Sequence, residues 1–314
     1  MKTRLIRVTI AALWLMGGAG AVAAPRTAGA DKTAVPAAEI PNAWPKRTPQ
    51  EQTETVAEIT KFAEETAAKM DLPLKIYETK YFIFSSNIPQ KEAKNWAGLL
   101  DRMYARLAEI FAVPKGENIW RGKAMVFVFT RKSDYQRYEQ EINNTDPGPS
   151  DGMCHSFPNG LVTIAFYRQP DELVFAHVLV HESVHGFIHR YRSPARVPSW
   201  ANEGLAETIA TELVPQPTRG ISTMKDFARR EIQLHNNQLG GFFSLEHIEP
   251  WQYPVAETMC TYMITQAKRN YVDFINGIKE GLTPEESLAK RFKAGQDRLV
   301  PKFGEWLGLK RLRE

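Results

Sequence analysis

Leu173-Val174-Phe175-Ala176-His177-Val178-Leu179-Val180-His181-Glu182-Ser183-Val184-His185 runs without a glycine or proline. Apolar residues dominate its approach, and the uninterrupted span 171–185 reads as a buried helix. Residues four apart on a helix stand one turn above each other on a shared face. His181 and His185 can therefore offer two imidazoles to one metal ion. Glu182 falls on the adjoining face, where its carboxylate can reach a water on that ion without being a ligand. This is the H-E-x-x-H spacing of zinc hydrolases. The bland alternative is two core histidines beside a surface acid. Such groups are costly to bury in an apolar helix unless something satisfies them, which favours the metal.

Downstream, Ser193-Pro194 and Val197-Pro198 break the helix, and Ser199 is expected to cap a second one starting near Trp200. That helix carries Asn202-Glu203-Gly204-Leu205-Ala206-Glu207. Seventeen residues lie between His185 and Glu203, enough for the chain to return a carboxylate to the imidazoles. His181, His185 and Glu203 with an open fourth position make a catalytic zinc set; a structural site is usually closed by cysteines. Glu207 shares a face with Glu203 and is expected behind the ligands, orienting a histidine, with a surface acid as the alternative. His189 is expected at the surface or behind the ligands. Arg190, Arg192 and Arg196 read as a solvated basic loop or a seat for a substrate carboxylate.

Upstream, Thr48-Pro49-Gln50-Glu51 opens a helix that runs to about residue 70. Strands are expected at 81–84, 124–129 and 161–167, with helices at 90–112 and around 134–142 between them. Strand 124–129 is apolar throughout and expected at the centre. Strand 161–167 is the expected edge for an extended peptide. Beyond residue 199 the pattern predicts only helices, at 200–213, 222–237, 254–268, 270–279, 283–293 and 300–309. The expectation is an α+β fold: an α/β half at 48–198 carrying the active-site helix, and a helical half at 199–314 bringing the third ligand.

Lys2, Arg4 and Arg7 precede an apolar run, and Ala21-Val22-Ala23 fits a cleavage site, so residues 1–23 read as a signal peptide. An uncleaved anchor is the alternative. Secreted or periplasmic localisation follows, with no stable membrane association after cleavage. Residues 24–47 read as a flexible Ala/Pro/Thr-rich leader. Loss of residues 1–23 takes the formal charge from +4 to +1, so nothing in the balance requires a nucleic acid. Hydrophobic residues at 43% and aromatic ones at 11% suffice for a packed core. Cys154 and Cys260 read either as a disulfide or as two buried thiols. The oligomeric state is not written in the sequence.

His181-Glu182-Ser183-Val184-His185 together with Asn202-Glu203-Gly204-Leu205-Ala206-Glu207 resembles the gluzincin branch of zinc metallopeptidases. Pro198-Ser199-Trp200-Ala201-Asn202-Glu203-Gly204 is most similar to peptidase-like domains of secreted bacterial proteins. The resemblance covers roughly residues 120–215. It implies a zincin-like fold, Zn2+ on His181, His185 and Glu203, Glu182 as the catalytic carboxylate, and a peptide or protein substrate. Aminopeptidase members carry Gly-x-Met-Glu-Asn upstream, whereas this chain has Cys154-His155-Ser156-Phe157-Pro158-Asn159-Gly160 there. Action inside peptide chains is therefore expected. Metzincins would need Gly at 188 and His at 191; Ile188 and Tyr191 exclude them.

In the expected chemistry Glu182 takes the proton of the attacking water and passes it to the leaving amine. Tyr253, then Tyr262, are candidate oxyanion donors in the helical half. Two rival readings stand beside the peptidase: a zinc-binding interaction module with little turnover, and a zinc amidase acting on a non-peptide amide.

Overall fold

A computed structural model of the chain describes residues 42–215 and 220–314. The first part runs α1 (Pro49–Lys69), β1 (Lys75–Glu78), β2 (Phe82–Ser86), α2 (Gln90–Ile110), β3 (Ala124–Phe129), α3 (Lys132–Glu141), β4 (Gly152–Ser156), β5 (Val162–Tyr167) and α4 (Glu172–Arg190). Helices follow: α5 (Ser199–Leu213), α6 (Ile221–Leu234), α7 (Tyr253–Lys279), the short α8 (Pro284–Ser287) and α9 (Gln296–Leu307). The architecture is α+β. The five strands lie in one sheet of order β1-β2-β3-β5-β4, parallel at β2-β3-β5 and antiparallel at both edges.

All six residues of β3 are buried, as expected for a central strand. Ala124, Val126 and Val128 face the main core with α2 and α4. Met125, Phe127 and Phe129 face a smaller core with α1 and α3. This period-2 split is what lets one apolar run serve two layers. The main core continues from the sheet through α4 and α5 to α7 and α9, so the two halves share their interior.

Several expectations need correction. β1 and β4 are additional strands, and both are edges. β5 is flanked by β3 and β4, so it is not an edge of the sheet, whereas β4 is. Ser199 does not cap α5. Pro198 stands at the cap without a side-chain bond, and Ser199 Oγ instead accepts from the Ile248 amide at 3.2 Å. The two helices expected at 254–268 and 270–279 are, by contrast, both present: they meet at a kink at Ala267 (φ −153°, ψ 51°) within α7. The last helix begins at Gln296, and Pro301 lies inside it. Segment 283–293 is a four-residue helix followed by a π turn at Leu288–Phe292.

Cys154 and Cys260 are free thiols. Burial pushes the Cys260 thiol up to about 12. Residues 1–41, with the expected signal peptide and most of the leader, lie outside the described residues. The end of the leader is pinned: the Trp44 amide donates to Arg192 O at 3.1 Å and its indole Nε1 to His189 O at 3.2 Å. No described helix is long and apolar enough to cross a membrane.

Candidate metal centre

The histidine helix is fixed by its cap and by its packing. Asp171 Oδ1 accepts from the amides of Leu173 (2.8 Å) and Val174 (3.1 Å), which starts α4. Phe175, Leu179, Val180, Val184 and Phe187 bury its apolar face. Gly186 allows the close seat on the sheet, because a Cβ there would stand 2.8 Å from Val162 Cγ1. Across from it, α5 lies at backbone contact with α7. A Cβ on Gly204 would meet Ala256 O at 2.3 Å and Cys260 Sγ at 2.6 Å. With these two packings set, the carboxylates of α5 meet the histidines of α4.

The Nε2 atoms of His181 and His185 are 3.2 Å apart. Glu203 Oε2 lies 3.3 Å from the first and 3.6 Å from the second. Tetrahedral donors at roughly 2.0–2.2 Å from an ion stand roughly 3.3–3.6 Å from one another, so this spacing fits a shared cation. The Glu203 side chain is 2% exposed, and its Oε1 has no hydrogen-bond partner among the described residues. A buried carboxylate in that condition calls for positive charge.

The electrostatics point the same way. Burial by itself would lower the His181 pKa, but the carboxylates of Glu203 and Glu207 outweigh it and hold the imidazole well above its usual value. Burial would raise Glu203, but His185 and His181 keep it below the ordinary carboxylate range. The cluster is thus held together by imidazole–carboxylate attraction at the point where the three donor atoms converge. Donor atoms of His181, Glu182 and His185 lie within 4.8 Å of one another, as do those of His177, His181 and Glu207. These groups could hold a metal ion.

Glu182 sits on the adjoining face, partly exposed. Burial raises its pKa against the pull of His185 and His181, which increases its readiness to take a proton. Glu207 Oε1 lies 3.1 Å from His181 Nδ1, behind the ring, and its Oε2 is 2.9 Å from His177 Nε2. The sequence pattern assigns no role to His177. Its place four residues before His181 is plain in the sequence, but its partner Glu207 on α5 is not. His155 is likewise assigned no role. It lies on the edge strand β4, and its Nε2 is 2.7 Å from Glu139 Oε2 of α3.

Other expected residues take different places. His189 is half-buried against the end of the leader. Its ring lies 5.3 Å from that of Trp44, and burial, helped by Lys279 and Arg190, lowers its pKa to about 4. Arg190 is buried and donates through Nε and Nη2 to Ile119 O, and Arg192 pairs with Glu280 at 2.7 Å. Of the three arginines only Arg196 is exposed. Tyr262 packs between Phe303 and Trp306, which is a structural task. Tyr253 is the first residue of α7 and is packed, partly buried, on the main core.

No protein-family model matches the chain, and no curated protein matches it.

Proposed function

We propose that the protein is a zinc-dependent peptidase, acting inside peptide chains and exported by the segment at residues 1–23. The observation that carries this reading is the convergence of His181 Nε2, His185 Nε2 and Glu203 Oε2 within 3.2–3.6 Å, with the Glu182 carboxylate on the adjoining face. His181, His185 and Glu203 would hold the zinc. Bound there, zinc supplies Lewis acidity and lowers the pKa of water to about 7. A structural site would have no use for Glu182; hydrolysis does. Glu182 accepts the proton of the attacking water and delivers it to the leaving nitrogen. β4 pairs on one side with β5 and offers its outer edge to an extended chain, so substrate would bind through backbone groups with little dependence on side chains. Tyr253 remains the candidate oxyanion donor.

The test is metal content followed by peptide-library cleavage with wild type and E182Q. One zinc per chain and cleavage reduced roughly 10²–10⁴-fold in E182Q are expected. Cleavage that does not depend on Glu182 would remove the mechanism. Stoichiometric zinc without cleavage in either protein would favour the interaction module.

A further inference from the structure

We propose that His177 is a positioning residue of the metal centre: it anchors the Glu207 carboxylate, which in turn fixes the His181 ring with Nε2 turned to the ion. The inference rests on the metal-binding reading of His181, His185 and Glu203.

His177 and His181 are one turn apart on α4, and the Glu207 carboxylate from α5 enters between them. Its two oxygens are divided, Oε2 to His177 Nε2 at 2.9 Å and Oε1 to His181 Nδ1 at 3.1 Å. A carboxylate facing Nδ1 selects the tautomer with the proton on that nitrogen, which leaves the Nε2 lone pair for a cation. His181 Nε2 is the atom that faces Glu203 at 3.3 Å. The imidazole of His177 grips the opposite oxygen and sets the plane of the carboxylate. His177 is 6% exposed, so this hold is shielded from water. The same three residues could instead take an ion themselves. With an ion also on His181 Nε2, that would require both nitrogens of His181 to ligate metal, and so a fully deprotonated ring. The 2.9 Å separation is that of an imidazole–carboxylate hydrogen bond and the 3.1 Å separation that of a close imidazole–carboxylate pair, neither of which needs such a step.

Zinc affinity, read by competition with a chromophoric chelator, and metal count per chain test this in wild type, H177F, E207Q, the double variant and H177Q. H177F keeps the ring shape without a donor; H177Q restores a donor close to the Nε2 position. We expect one zinc per wild-type chain, and affinity lowered about 10–100-fold in H177F and in E207Q. The double variant should be no weaker than E207Q alone, and H177Q should recover most of the loss. The visible spectrum of the cobalt-substituted protein should shift in H177F and return in H177Q. Wild-type affinity in H177F would overturn the proposal, as would losses that multiply in the double variant. Two zinc ions in wild type falling to one in H177F would make this row a second metal site and also overturn it. If H177F fails to fold, H177Q against H177N decides, because asparagine cannot place its amide at Nε2; equal affinities overturn the proposal. Absence of zinc from wild type sinks the metal reading and this inference together, whereas an unmoved H177F sinks the inference alone.

Discussion

Glu203 has almost no contact with water, yet its pKa lies below the ordinary range, because two imidazoles face the same oxygen. A neutral isostere keeps the shape and removes the charge. E203Q should fold and lose metal affinity by more than the roughly 10–100-fold of an outer change, measured by the same chelator competition. His189 gives a pH prediction. Its folded pKa of about 4 lies below the unfolded value, so the unfolded chain binds more protons between the two. Its contribution to stability is present above about pH 6.5 and is lost as pH falls toward 4. H189Q should flatten this part of the melting-temperature profile, and an unchanged acid limb would refute the assignment. Motif spacing singled out His181, Glu182, His185, Glu203 and Glu207, which the structure brings together. It could not find His177, because a histidine in an apolar run gains meaning only when its partner on another helix is known. Nor could spacing tell that Arg190 and Arg192 spend their charge on Ile119 O and Glu280.

At the scale of elements, legibility followed burial. β3, apolar on both faces, and β5 could be read directly, and so could α1, whose capping box is formed as expected. β1 (Lys75-Ile76-Tyr77-Glu78) and β4 (Gly152-Met153-Cys154-His155-Ser156) are short, half-buried edge strands, and apart from Ile76 and Tyr77 their residues carry little β preference of their own. Pairing to a neighbour makes them strands, and no local pattern reports that. Missing β4 placed the expected peptide edge one strand too far inward. The α5–α7 contact offers a sharper test. In an open helix, replacing glycine with alanine gains about 1 kcal/mol. At Gly204 the new Cβ would meet the Ala256 carbonyl, which is backbone and cannot swing aside. G204A should therefore be destabilising by roughly 1–3 kcal/mol in chemical denaturation. It should also weaken metal binding, because Glu203 is the adjacent residue. A stabilised G204A would show that the two helices can separate freely.

Over the whole molecule, the main core runs without interruption from the sheet into the helical half, and the candidate metal centre lies across the same boundary. His181 and His185 come from the α/β side, and Glu203 from the first helix of the other. Lys279, near the end of α7, strengthens the junction by donating to Ser193 O (2.9 Å) and Ala195 O (2.7 Å) in the α4–α5 connection. A shared interior predicts one cooperative unfolding transition for both halves, with or without metal. An ion held by residues from both sides, and by none in the unfolded chain, adds stability as RT ln(1 + [L]/Kd). At free zinc a thousandfold above Kd this is about 4.1 kcal/mol. Chelation should lower the midpoint of that single transition, and zinc should restore it in wild type but not in E203Q. Calorimetry with and without chelator checks both points. Two separated transitions in the chelated protein would mean that the metal, and not the apolar core, joins the halves. An unmoved midpoint would mean that no ion bridges α4 and α5.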